Sequence, residues 1–217
     1  SIQYILDFGL DIIKYFKPKV LLGLTATPER MDGGDIQEDF YNRIAAEIRL
    51  PAALNRKLLC PFQYFGISDS IDLTNVNWRR GRYVASELSK VYTGNDRRVR
   101  EIIDALDKYT KDREDVRAIG FCVTMDHAKY MAEKFNLAGL KADYLTSAHS
   151  NNRYEVRNRL KNKDINYLFV VDIFNEGVDI PEIDTVLFLR PTESLTVFLQ
   201  QLGRGLRLAK NKESLSV

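Results

Sequence analysis

Apolar residues in YILDFGLDIIKYFK (Tyr4–Lys17) recur at helical spacing, and Pro18 closes the segment. KVLLGLTATP follows, a short apolar run that breaks into Thr-Ala-Thr-Pro. That is the pattern of a buried parallel strand with a polar loop at its carboxyl end. The charged, glycine-rich ERMDGGD continues the loop, and RIAAEIRL and LLCPFQYFGI read as strands around a short PAALNRK helix. Residues 68–82, SDSIDLTNVNWRRGR, are polar, lack a period and hold the sole Trp, which reads as a linker or insertion. NDRRVREIIDALDKY predicts a helix with Asn95 as N-cap and Ile102, Ile103 and Leu106 on one face.

Beyond this helix the pattern is regular. Strand RAIGFCV precedes helix MDHAKYMAEKFNLA, strand ADYL precedes helix NNRYEVRNRLK, and strand NYLFVV runs into loop DIFNEGVDIP. Strand TVLFLR then precedes helix SLTVFLQQLGRGLRL, and a further strand begins in ESLSV. Strands alternating with helices of this length predict an α/β fold, a parallel sheet with right-handed crossovers and helices on its faces.

Ligands of open α/β sheets bind beyond the carboxyl ends of the strands. That rule selects loops beginning at Thr25, Thr124, Asp172 and Pro191. The third offers Asp172, Asn175, Glu176, Gly177 and Asp179 before Pro181. Such residues make caps and turns. Equally, Gly177 admits close approach of a ligand to the backbone, and Asp179 can accept a hydrogen bond from a sugar hydroxyl. The hydroxyls of Thr25 and Thr27 either bond locally to the backbone or face a ligand.

The final helix carries two glycines around an arginine. At ~100° per residue, Leu195, Phe198, Leu199, Leu202 and Leu206 form one stripe, while Gln200, Arg204 and Arg207 share an arc of roughly 60° on the other side. Each helical glycine costs ~1 kcal/mol relative to alanine. A solvated helix accounts for the charges but not for the glycines. An anionic ligand accounts for the arginines, and a close-packed surface accounts for the glycines.

Composition narrows the picture only locally. Net charge is +2 with 29% charged residues, so any polyanion-binding surface is a patch. Basic residues cluster in WRRGR, NDRRVRE and NNRYEVRNRLKNK, where Arg153, Arg157 and Lys161 form a ridge suited to phosphates. Cys60 and Cys122 lie in apolar runs and read as reduced core thiols. With no apolar run near ~18 residues and no secretory signal, they point to a cytoplasmic protein without a membrane partner. His127 and His149 lack metal-ligand spacing, and no metal site is expected.

Taken in order, these segments resemble the superfamily 2 helicases and translocases, with wording closest to the type III restriction enzyme Res subunit (ResIII) group, which acts on DNA. LTATP (Leu24–Pro28) is similar to motif III at the end of the first RecA-like domain, and AIGFCVTMDHAKYMAEKF to motif IV at the start of the second. VVDIFNEGVDIP resembles motif V, and QQLGRGLRL fits the motif VI pattern Q-x-x-G-R-x-x-R at Gln200, Gly203, Arg204 and Arg207. The resemblance implies a remnant of RecA-like domain 1 over residues 1–66, a linker or insertion over 67–94, and RecA-like domain 2 of a P-loop NTPase helicase over 95–217, cut at its C-terminal end.

The resemblance also implies roles. Arg204 and Arg207 face the ATP phosphates, one as arginine finger, with Gln200 ordering the site; Gly177 and Asp179 contact nucleotide. Thr25 and Thr27 couple the domains, and Thr124, Arg153 and Asn175 touch nucleic acid, DNA rather than RNA. ATP and Mg2+ are the expected cofactors of the full protein, and the N-terminal RecA-like domain of the same polypeptide is the expected partner. Two departures stand out. Val171 replaces the threonine that many relatives carry before Asp172, and neither G-x-x-x-x-G-K-[ST] nor an acidic D-E box occurs in the sequence. The chain by itself is therefore expected to be inactive as an ATPase. The alternative is a degenerate RecA-like nucleic-acid-binding or regulatory module without ATPase activity.

Overall fold

The structure, a computed structural model, describes residues 15–16, 19–23, 40, 43–68, 71–79, 81–145, 153–171, 180–192 and 194–217. The chain divides into two compact units, Ser1–Glu47 and Ile48–Val217. In the first unit Tyr15 and Phe16 are helical, and the rest of the expected helix Tyr4–Lys17 lies outside the described residues. Two strands expected from the sequence are not present among the described residues. Residues 19–23 and 43–49 make no ladder, and Ile44 and Ile48 are exposed. An apolar run becomes a strand only with a paired neighbour, and the described residues of this unit contain none.

The second unit runs α1 (Leu50–Asn55), β1 (Phe62–Gln63), β2 (Trp78–Arg79), β3 (Arg82–Tyr83), α2 (Ala85–Tyr92), α3 (Asp96–Tyr109) and β4 (Ala118–Cys122). It continues with α4 (Met125–Leu137), β5 (Ala142–Leu145), α5 (Arg153–Asn162), β6 (Tyr167–Val171), β7 (Thr185–Phe188), α6 (Leu195–Gly205) and β8 (Leu215–Ser216). Six strands form one sheet in the order β1-β8-β7-β4-β6-β5, and every adjacent pair is parallel. β2 and β3 form a separate antiparallel hairpin.

The central strands are apolar on both faces because helices cover both. Ile119, Phe121, Leu168, Val170 and Val186 point to the face where Val156 and Leu160 of α5 and Leu202 of α6 pack. Ala118, Cys122, Tyr167 and Phe169 point to the other, against Val99 and Leu106 of α3 and Met131 and Phe135 of α4. Gly120 lies in β4 where the Phe169 ring crosses the strand: a Cβ there would stand 2.5 Å from Phe169 Cδ1. The helix starts follow the expected chemistry. Asn95 Oδ1 accepts from Arg98 N at 3.0 Å and Ser194 Oγ from Val197 N at 3.2 Å, caps that contribute about 1 kcal/mol each.

The division into units falls at Glu47–Ile48. Phe62 pairs with Leu215 and Gln63 with Ser216, so residues 48–66 share a unit with 95–217. The segment 67–94, read from the sequence as a linker or insertion, carries secondary structure in its described residues. It holds the β2–β3 hairpin and α2, fastened by a small core of Val76, Leu88 and Tyr92 with Ile71, Leu73, Tyr83, Val91 and Val123.

Candidate functional site

The strand order places a switch point between β4 and β7, because the chain leaves them toward opposite edges of the sheet. Ligands of open α/β sheets bind outside such a point. At the carboxyl end of β4, Thr124 caps α4: its Oγ1 accepts from His127 N at 3.2 Å and lies 2.6 Å from Ser89 Oγ of α2. His127 Nδ1 accepts from Val123 N at 3.3 Å, and its ring stacks on Tyr92 with centroids 5.4 Å apart. Burial pushes the imidazole pKa down to about 3, so the ring is neutral. Arg98 of α3 lies over the Tyr92 ring at 4.2 Å and donates through Nη2 to Leu189 O at 3.0 Å. One guanidinium thus joins α2, α3 and the loop after β7. Cys122 and Cys60 are free, buried thiols, and desolvation raises the pKa of both.

The second constellation lies at the opposite end of the sheet. α6 runs from the loop after β7 back toward the start of that strand. A Cβ on Gly205 would stand 2.5 and 2.7 Å from the two Leu215 Cδ atoms and 3.0 Å from Val186 Cγ2, so this glycine permits close packing on the sheet. Gly203 faces open space. Leu202 and Leu206 are buried, whereas Leu195, expected on the same stripe, is 71% exposed. Gln200 is exposed and Arg204 half-buried, four residues apart on one helix face. Arg207 is exposed but is not part of that face: the helix ends at Gly205, and Arg207 sits in the bend beyond it.

Lys212 engages the end of this helix, where Cys60 N also donates to Leu206 O at 2.8 Å. The Lys212 ammonium donates to Gly205 O, to Arg207 O at 3.0 Å and to Pro181 O at 3.2 Å. A cation on these carbonyls complements the negative end of the helix. Burial lowers the Lys212 pKa, against the opposing pull of Cys60, Asp184 and Glu182. Lys212 thereby binds the Arg207 backbone to the chain just after the Asp172–Asp179 loop. Sequence reasoning missed it; the signal was a lysine shortly after a helix C-terminus.

The expected site residues thus separate into two groups. Thr124 stands at the carboxyl ends of the strands with its hydroxyl engaged in capping; Arg204 and Arg207 stand near the amino ends of β7 and β8. Arg153 opens α5, and its side chain lies outside the described residues. Thr25, Thr27, Asn175, Gly177 and Asp179 also lie outside them. Among the described residues, no group of three His, Cys, Asp or Glu side chains could hold a metal ion, and no helix is long and apolar enough to cross a membrane.

Comparison with known proteins agrees with this architecture. A fragment of an HsdR subunit, assigned to a type I restriction enzyme from Vibrio vulnificus YJ016, superposes with a TM-score of 0.72 at 23% identity, covering 95% of this chain and 40% of that one. A 51.5 kDa protein of a Lactococcus phage (isolate 7-9) is 29% identical over 99% of this chain and 45% of its own length. IRC3 of Saccharomyces cerevisiae, named as an ATP-dependent helicase, is 27% identical over 94% of this chain and 30% of its own length. The chain spans less than half the length of these curated relatives. The model of the helicase conserved C-terminal domain matches residues 99–209, covering α3 to the end of the Arg207 segment. The chain belongs to the helicase conserved C-terminal domain family.

Proposed function

We propose that this chain supplies the second RecA-like domain of an ATP-dependent DNA helicase or translocase. In this reading Arg204 and Arg207 face the phosphates of ATP held by the first RecA-like domain of the same polypeptide, and one of them is the arginine finger. Gln200 orders that site, and Gly177 and Asp179 contact the nucleotide. Mg2+ is held by the other domain, the side that would also carry the phosphate loop. Thr25 and Thr27 couple the two domains. Thr124, Arg153 and Asn175 lie along the nucleic-acid strand, Thr124 through its backbone or by exchanging its capping bonds. The type I restriction relationship of the HsdR fragment favours DNA over RNA. The two free, buried thiols suit a reducing, cytoplasmic setting.

The observation that carries this reading is the Lys212 clamp. It joins the Arg207 backbone to Pro181, two residues after Asp179 in the sequence, which supports a reading in which the arginine segment and the acidic stretch serve one ligand. A permanently charged, planar donor whose backbone is held to Pro181, with Asp179 as the proposed acceptor for a sugar hydroxyl, suits a nucleoside triphosphate.

The test is ATP turnover, with and without DNA, by this chain joined to its first RecA-like domain. Arg204→Ala and Arg207→Ala are each compared with the parent. Loss of the finger lowers turnover by about 10³-fold or more, and the 217-residue chain alone shows none. Unchanged turnover in both variants, or turnover by the chain alone, overturns the reading.

A further inference from the structure

The β2–β3 hairpin has no part in the reading above. Trp78 pairs across it with Tyr83 and Arg79 with Arg82, and Gly81 makes the turn at φ 76°. The hairpin is held firmly. Asn77 N donates to Glu87 Oε2 at 2.8 Å, Asn77 Nδ2 to Glu87 Oε1 at 3.0 Å, and Val84 N to Asn77 O at 2.9 Å. Below it, Val76 and Tyr83 pack on Leu88, Tyr92 and Val123.

Its exposed side chains are costly. Trp78 is 57% exposed, its ring edge-to-face with Tyr83 at 4.7 Å. Arg79 and Arg82 are exposed and directly opposed, an arrangement that destabilises a strand pair. Glu87, already bonded to Asn77, is the acidic group near Arg79. In this register Trp78 and Tyr83 share one face of the ribbon and Arg79 and Arg82 the other, and a hairpin serving only as a linker gains nothing from an exposed indole on one face and opposed like charges on the other. A strand of nucleic acid crossing the edge of the hairpin satisfies all three side chains, with a base on the indole of one face and flanking phosphates on the long guanidinium side chains of the other.

Position supports this occupant. Val123 belongs to the hairpin's core, and Ser89 of α2 bonds Thr124, so hairpin and α2 are joined to the Thr124 corner at the carboxyl end of β4. We infer that the hairpin is a single-strand contact in which Trp78 stacks on an unpaired base and Arg79 and Arg82 hold flanking phosphates, extending the strand path beyond Thr124. This rests on the nucleic-acid part of the proposed function. Single-stranded rather than duplex nucleic acid is specified because a stacked base must be unpaired.

The chain contains one Trp, so its emission reports on this site alone. The 217-residue chain is titrated with an oligothymidylate of about 16 nucleotides, a length suited to one binding groove. Affinity is read in parallel by anisotropy of a labelled copy. Trp78 emission is quenched on binding and recovers in high salt. Trp78→Ala weakens binding about tenfold, the effect of losing one stacked base. The Arg79→Gln/Arg82→Gln double variant, which leaves the indole in place, lowers the log–log salt slope by about 1.4, two phosphates at ~0.7 each. Binding with parental affinity and slope in both variants, and with unchanged emission, overturns the inference and leaves the function reading intact. Failure of the parent chain to bind the oligonucleotide overturns both. Emission already that of a buried indole, and insensitive to iodide before nucleic acid is added, also overturns it, because a protein surface then covers Trp78.

Discussion

Lys212 and Arg207 are joined through the backbone: the Lys212 ammonium donates to the Arg207 carbonyl oxygen at 3.0 Å while also holding Gly205 O and Pro181 O. Charge-assisted bonds of this kind are worth ~1.5–3 kcal/mol each before desolvation is subtracted. Lys212→Met keeps the stem and removes the charge, and it lowers unfolding free energy by about 2 kcal/mol, measured in urea. The pH dependence has a defined sign. The folded pKa lies below the ordinary 10.5, so the unfolded chain binds the proton more tightly. Parental stability therefore rises as pH climbs from the folded pKa toward 10.5, and the Met variant loses that slope.

The two glycines of α6 respond in opposite directions to alanine. At Gly205 the added Cβ meets Leu215, whose side chain is wholly buried and has no room to yield. Overpacking costs ~1–3 kcal/mol, which outweighs the ~1 kcal/mol gain in helix propensity. Gly205→Ala is therefore destabilising. Gly203 faces open space, so Gly203→Ala stabilises the fold by up to about 1 kcal/mol. Thermal melts of the two variants, shifted to opposite sides of the parent, are the expected result.

Arg98 is 7% exposed and joins Tyr92 to Leu189 O. Arg98→Lys keeps the charge but loses the planar fork that stacks and donates together. A loss of about 1–2 kcal/mol in chemical denaturation is expected, and about 3 kcal/mol for Arg98→Met, which leaves the Leu189 carbonyl without this donor.

The central strands were legible because each buries both faces, which writes continuous apolar runs into RAIGFCV and NYLFVV; β4 and β6 fall inside those runs. Asn95 and Ser194 cap as their residue types dictate. β1 falls inside LLCPFQYFGI, read as a strand, but its partner was not legible. Two residues after Pro61 carry no period, and their place in the sheet comes from pairing with β8 at the far end of the chain. α2 has only eight residues and was passed over, although Leu88 and Tyr92 are spaced as a helical stripe. The extended reading of α6 to Leu208 failed because periodicity cannot see bonds made from outside the helix. The leucine spacing continues past Gly205, but the carbonyls there are taken from outside the helix, Gly205 O and Arg207 O by Lys212 and Leu206 O by Cys60 N. The Lys212 contact brings the Arg207 backbone to Pro181, so the part of the candidate site hidden from the sequence is the part that depends on a side chain outside every motif.

His127 gives the fold a pH dependence of its own. Its Nδ1 accepts from Val123 N, so the ring proton resides on Nε2, which is buried and finds no partner among the described residues. Burial, reinforced by the Arg98 charge, lowers the pKa from 6.5 to about 3. Below 6.5 the unfolded chain gains a proton that the folded chain refuses. Stability therefore falls by up to about 1.4 kcal/mol per pH unit between 6.5 and the folded pKa, with no contribution from this residue above that window. Nearer pH 4 the carboxylates take part. Asp96 and Asp115, held below their ordinary range by hydrogen bonds, also lose stability on acidification, whereas the buried Asp184, raised above 3.8, acts in the opposite direction. The contribution of His127 is isolated by difference. His127→Asn retains an acceptor for Val123 N–H and cannot titrate. Its stability, lower than the parent's at pH 7 because the Tyr92 stack is lost, converges on the parent's as pH falls from 6.5 to 5. Parallel curves over that interval would show that the imidazole takes up its proton equally well in the folded chain.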